Sequence, residues 1–248
     1  NWEMVKKYDY LLGDFMWTAW DYLGEAGIGA WSYTGGVPFN RPFPWLLGGA
    51  GVIDIIGNPD ISCRNAQVVW QENDKPVIGV RPANHPGVRV SKSVWRGTNA
   101  IESWSWRNCD GNKTIVEIHS LEPIVELLIN GRSLGKKKPN CGEAKYKVKY
   151  QAGEIKAIAY DMSGKVTGES ILKSADRDVS VQLLPEEKVI CKGDIAYISV
   201  VVADKSGIVE SNADTKINIS VEGGELLAFG SANPCTEEKY DAGCFTTY

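Results

Sequence analysis

The sequence predicts a mainly β protein in which one βα unit precedes two β-sandwich domains, the second of them incomplete. Three observations carry this. All nine tryptophans fall before residue 107, and Trp2, Trp17, Trp20, Trp31 and Trp45 crowd the first 45 positions. Within that aromatic-rich head an apolar run, a long Gly/Pro loop and a capped helical pattern follow one another, the succession of a βα unit. From Pro76 onward, short alternating segments separated by turn signals take over, as in a sandwich. The boundaries fall at the polar break Gln71–Lys75 and near Ala175–Arg177, dividing the chain into 1–75, 76–176 and 177–248.

Trp2–Tyr10 reads as the end of a helix, with Trp2 and Val5 as spaced apolar positions. Leu11–Trp20 reads as a strand buried on both faces, as in a parallel barrel or sheet. Residues 24–50 carry many Gly and Pro and no sustained period. A loop of that length in a compact domain is usually functional. Asn58-Pro59-Asp60 is a helix start, and Ile61–Trp70 follows as the helix.

In the second part Ser103–Arg107, Thr114–His119, Val125–Ile129, Lys145–Tyr150 and Ile155–Tyr160 are the expected strands. Asn130-Gly131, between Val125–Ile129 and Arg132–Leu134, is a hairpin signal, because a type I′ turn needs positive φ at both central residues. In the third part Val179–Leu184, Ile195–Ala203, Thr215–Val221 and Leu226–Gly230 are expected strands. Tyr197–Val202 is the expected central one, and Phe245–Tyr248 looks like the entry to a further strand.

Composition excludes several functions. Hydrophobic residues make up 43% and charged residues 23%, a globular balance. A net charge of −4 argues against nucleic acid and anionic membranes as partners. No apolar run approaches the roughly 20 residues of a membrane span, and Asn1–Tyr10 has no signal-peptide pattern. Six cysteines without a C-x-x-C spacing and only two histidines, His85 and His119, make a zinc site unexpected. Free thiols and a cytoplasmic location are expected, with Cys235–Cys244 the pair to inspect for a disulfide. No cofactor and no metal is expected.

Trp17, Asp21, Tyr22 and Glu25 lie at the C-terminal end of the first strand, where a parallel barrel places its active site. A tryptophan face suits the apolar underside of a sugar ring while its N–H still donates. The other reading makes Trp17 and Trp20 core aromatics and Asp21 a cap. Asp21 and Glu25 are not taken as a glycosidase carboxylate pair, because their spacing leaves their separation undetermined. From the loop, Trp31, Tyr33, Phe39, Arg41 and Trp45 are candidate sugar contacts, and Arg41 would suit an acidic sugar. His85 reads as a loop residue, His119 as locally satisfied, and Lys136–Lys138 as a solvated hairpin end. Trp95, Trp104 and Trp106 read as packing residues more readily than as a glycan platform.

The string GDFMWTAWDYLGEAG, the loop after it and GVIDIIGNPDISCRNAQVVW resemble the end of the catalytic (β/α)8 barrel of glycoside hydrolase family 2, the β-galactosidase and β-glucuronidase family. Phe15, Trp17, Thr18, Asp21, Tyr22, Gly24 and Glu25 match its last strand. Gly51, Asp54, Gly57, Pro59 and Trp70 match the segment leading into its final helix. Val125, Glu126, Leu127, Asn130, Gly131, Ser133, Leu134 and Gly135 are similar to the sandwich after the barrel, and the tail from Ile219 to an immunoglobulin-like domain.

The resemblance implies the C-terminal part of a retaining exo-β-glycosidase, most readily a β-galactosidase. Its two catalytic glutamates, about 5–5.5 Å apart, would belong to strands before Asn1, so none is expected in this chain. It implies that Trp17 lines the sugar subsite and precedes a non-proline cis peptide, with Asp21 and Glu25 shaping the rim. The implied partners are a carbohydrate substrate, the N-terminal remainder of the enzyme and possibly a second copy of it. A β-glucuronidase, another family 2 β-glycosidase and a non-catalytic carbohydrate-binding or structural module stay open.

Overall fold

The alternation after Pro76 becomes two antiparallel sheets packed face to face. The computed structural model describes residues 2–34 and 41–248. One sheet has the order β1-β2-β5, from Val77–Val80, Lys113–His119 and Glu143–Lys149. The other has the order β4-β3-β6-β7, from Arg132–Lys137, Ile124–Ile129, Glu154–Tyr160 and Val166–Lys173. Every second side chain points inward. Val116, Ile118, Ala144, Tyr146 and Val148 of the first sheet meet Val125, Leu127, Ile129, Ile155, Ala157 and Ala159 of the second in one core. Each large apolar side chain there contributes about 1.5–3 kcal/mol relative to exposure.

The Asn130-Gly131 hairpin forms as its residues demand, with φ of 48° and 76°. β1 and β7 escaped the sequence pattern. Val77–Val80 is buried on both faces and so does not alternate, while β7 is an edge strand with polar residues along it.

Ser103–Arg107, expected as a strand, joins no ladder. Side chains occupy its backbone instead. The Trp104 carbonyl accepts from Ser174 Oγ (2.6 Å), the Trp106 N–H donates to Tyr150 Oη (3.2 Å), and the Arg107 N–H donates to Glu210 Oε1 and Asn212 Oδ1. Trp104 and Trp106 are core residues, and the Trp104 indole donates to the Gln151 carbonyl. They are no glycan platform.

The third part has two separate two-stranded sheets, β8-β9 (Val179–Pro185 and Ile198–Asp204) and β10-β11 (Lys216–Asn218 and Cys244–Thr246). β9 was expected to be central. It ladders only with β8 among the described strands, and Tyr197 and Ile198 are exposed. Leu226–Gly230 forms no strand, although the Phe229 N–H reaches the Tyr240 carbonyl.

The head begins with α1 (Trp2–Lys7), whose sequence-expected extent to Tyr10 is shortened. Leu11–Trp20 is not the buried strand expected. Leu12 and Phe15 are fully exposed, and Met16, Trp17 and Trp20 more than half so. A parallel strand is buried only between neighbours, and no described strand runs beside residues 11–16. Pairing begins later: Thr18–Asp21 runs along Ala50–Ile53 through the Thr18, Val52, Ile53 and Asp21 amides. Gly51 permits this, since a Cβ there would lie 2.3 Å from the Asp21 nitrogen.

α2 (Ile61–Val69) starts at Asp60, whose Oδ1 accepts from the Ser62 and Cys63 amides, the ordinary N-cap arrangement. Its Ile61 and Val68 bury against Val77 and Ala100. No described helix is long and apolar enough to cross a membrane, and all six cysteines are free thiols.

Candidate functional site

The segment Trp17–Glu25 turns back on itself through a chain of polar contacts. The Trp17 indole N–H donates to Tyr22 Oη at 3.1 Å, with the two rings edge to face at 6.3 Å. Tyr22 Oη in turn donates to Glu25 Oε2. Burial first, and then the Glu25 carboxylate, push the Tyr22 phenol above its ordinary pKa. The peptide between Trp17 and Thr18 is cis. Trp17, with 61% of its surface exposed, and Tyr22 thus form an open aromatic pair with a carboxylate at its edge. A flat aromatic held by its own N–H, beside an acceptor, is suited to stack on a ring and bond its hydroxyls.

Asp21, next in sequence to Tyr22, has other surroundings. It is buried, and Oδ1 accepts from the Ala50 (3.1 Å) and Gly51 (3.3 Å) amides. It ties the strand end to the far end of the loop. Asp54 does similar work one turn on, accepting from the Ile56 and Asn58 amides.

Arg41 is buried as well. It donates to the Ala30 carbonyl at 3.0 Å and lies 4.1 Å over the Trp45 ring. Burial pulls its pKa below the ordinary guanidinium value. Gly27 makes room for the stack, because a Cβ there would come within 2.8 Å of both side chains. Phe39 lies outside the described residues.

Trp31 and Tyr33 turn toward the first sandwich. The Trp31 indole donates to the Arg96 carbonyl, and its ring carries Arg81 at 5.0 Å and Lys92 at 5.2 Å. Tyr33 stacks on His85 at 3.9 Å and accepts from Asn99 Nδ2 at 2.7 Å. Burial raises its pKa. The seven of these candidate positions that the described residues include therefore separate. Trp17 and Glu25 share one hydrogen-bonded group through Tyr22, Asp21 is buried against Ala50 and Gly51, Arg41 and Trp45 stack on each other, and Trp31 and Tyr33 anchor the loop elsewhere.

Sequence reasoning missed what holds the loop. Ser32 and Ser91 exchange backbone hydrogen bonds of 2.9 and 2.7 Å, and Ser93 Oγ donates to the Ile28 carbonyl. Arg96 reaches Asp60 Oδ2 at 2.9 Å. On the other side the Leu46 N–H donates to the Pro234 carbonyl (2.8 Å) and the Thr236 N–H to that of Pro44 (3.0 Å). Pairings about 60 and 190 residues apart leave no local signal.

Residues 182–248 match the family model of glycoside hydrolase family 2 C-terminal domain 5, and residues 111–168 match a domain of unknown function, DUF4982. The chain is 25% identical over 245 residues to the β-galactosidase BoGH2A of Bacteroides ovatus, covering 96% of this chain and 24% of that protein. It is 32% identical over 181 residues to a Formosa agariphila protein named “Putative beta-glucuronidase”, covering 71% of this chain and 14% of the other. A glycosyl hydrolase family 2 member from Bacteroides cellulosilyticus superposes on all of this chain with a TM-score of 0.84 at 30% identity, over 33% of its own length. A β-glycosidase from Bacteroides vulgatus does so with 0.72 at 25%, over 28% of its length.

The named relatives and solved structures are described as glycoside hydrolases. The family model, the curated relative and the solved structure support reading the chain as a C-terminal portion of a glycoside hydrolase family 2 protein. The chain spans about a quarter of the length of the β-galactosidase relative.

Proposed function

We propose that this chain supplies one wall of the sugar pocket, and the accessory domains, of a retaining exo-β-glycosidase. The exposed Trp17, held by Tyr22 and Glu25, is the observation that carries this reading. Residues 1–75 are read as the last βα unit of a (β/α)8 barrel. The apolar face of Leu11–Trp20 is then the face it turns to neighbouring strands. Residues 76–176 and 177–248 are read as immunoglobulin-like sandwiches, although the fourth strand of the first lies beside the third rather than in the opposite sheet. Both brace the loop 24–50: one through Ser91, Ser93 and Arg96, the other through Pro234 and Thr236.

The reacting glutamates are assigned to another part of the same enzyme, so Asp21, buried and spent on two amides, takes no part in bond cleavage. A terminal β-galactoside is the favoured substrate, since the β-galactosidase relative aligns with 96% of the chain. Arg41, occupied under Trp45, is poorly placed to meet a sugar carboxylate. The second reading, a β-glucuronidase, is favoured by the higher identity to the Formosa agariphila protein. A panel of aryl β-glycosides offered to the full protein separates the two. Faster turnover of the galactoside than of the glucuronide supports the first reading, and the reverse order establishes the second. Turnover of neither overturns both.

A further inference from the structure

The outer face of sheet β1-β2-β5 carries a polar cluster that the sugar site does not use. Glu117 and His119 are two apart on β2, so both leave the strand on the side opposite the core residues Val116 and Ile118. Glu143 on β5 is the register partner of His119. One donor atom from each of the three lies within 4.8 Å of the other two.

Glu117 is 0% exposed and His119 4%. Their outer atoms have partners: Arg81 holds Glu117 Oε1 (2.6 and 2.7 Å), and Asn65 Oδ1 lies 3.1 Å from His119 Nδ1. Their inner atoms, Glu117 Oε2 and His119 Nε2, have no hydrogen-bond partner among the described residues. They face each other at 3.9 Å. Two buried polar atoms left so cost free energy unless something joins them.

The spacing indicates what would. It is too long for a hydrogen bond. It lies inside the roughly 4.2 Å limit for two ligand atoms opposite each other across one ion whose bonds are about 2.0–2.2 Å, and four-coordinate binding would draw the two atoms about half an ångström closer. In the neutral ring that donates Nδ1–H to Asn65, Nε2 is left as the lone-pair nitrogen, and a hydrogen bond at the far nitrogen is how proteins orient a ligating histidine. Imidazole with two carboxylates suits zinc-class ions more than magnesium or calcium. Lys145 now pairs with Glu143 at 2.7 Å, and its half-exposed side chain is free to swing into water.

We propose that Glu117, His119 and Glu143 form a three-ligand site for a divalent transition metal of the zinc class, with a fourth position open to water. All three ligands belong to the first sandwich, and the ion would sit where α2 meets it, since Asn65 of α2 holds His119. No local spacing announces such a site. Strand period and cross-strand register assemble it from positions 117, 119 and 143.

The test uses the full protein, stripped by chelation and titrated with Zn²⁺ by calorimetry and with Co²⁺ by optical absorbance. Binding of one ion is expected, with the visible bands of four-coordinate Co²⁺. Glu143→Gln, at a half-buried position where folding is retained, weakens binding by at least about tenfold. His119→Gln abolishes the Co²⁺ bands, with circular dichroism reporting the fold. Cys141→Ser, removing an exposed thiol two residues from Glu143, leaves binding as it was. The proposal is overturned if the wild type binds no ion, if Glu143→Gln binds with less than that tenfold loss, or if binding disappears with Cys141.

Discussion

Trp17 and Asp21 stand four residues apart and have opposite surroundings, which makes them separable by mutation. Trp17 is exposed and makes one hydrogen bond, to Tyr22. Trp17→Ala in the full protein should lower kcat/KM for an aryl β-glycoside at least about tenfold, some 1.4 kcal/mol, mostly through KM. Its urea midpoint should barely move. Asp21 is a buried charge accepting two amides, so Asp21→Ala should cost about 1.5–3 kcal/mol in urea unfolding.

Asp204 supplies the pH dependence. The amides of Asp176, Ile208 and Ser206 donate to its carboxylate and hold its pKa below the ordinary value. The stabilisation is full above the ordinary carboxylate range and is lost as pH falls through the lowered folded value. Asp204→Asn should therefore lower neutral-pH stability and flatten the acid limb of the stability curve. An unchanged acid limb would show that these bonds do not report on folding. At this scale the sequence was informative about residue type but not about burial. Trp17 and Asp21 both read as strand-end residues of a ligand site, yet the amides that bury Asp21 come from residues 29 and 30 positions away.

Elements whose signal is local were legible. Asn130-Gly131 set its own turn, and Asp60 capped α2 where the pattern put the helix start. Gly131 has open space around its Cβ position but a φ of 76°, so Gly131→Ala should destabilise by about 1 kcal/mol through backbone strain alone. Gly51 is the opposite case. Its conformation is ordinary, but a Cβ would strike the Asp21 backbone. Gly51→Ala should cost about 1–3 kcal/mol by overpacking and separate Thr18–Asp21 from Ala50–Ile53, read by amide hydrogen exchange across both segments. Ser103–Arg107 misled because alternation reports which side chains are buried, not where backbone groups bond. Leu11–Trp20 misled because an apolar run reports a need for cover that no described strand meets.

At the scale of the molecule, mainly β character followed from composition and period. The bracing of one loop by two later domains did not, since Ser91 and Pro234 carry no mark of their distant partners. The first sandwich and the C-terminal unit each contribute backbone hydrogen bonds to the loop after Trp17, through Ser91 and Pro234. The central claim is that this chain forms a wall of the pocket while the bond-breaking groups lie elsewhere in the enzyme. Its most direct test is hydrolysis of an aryl β-D-galactoside by the isolated 248-residue chain beside the full protein, at equal molar concentration. Turnover by the full protein and none by the isolated chain is the expected result. Turnover by the chain alone would place the reacting carboxylates within it and contradict the account.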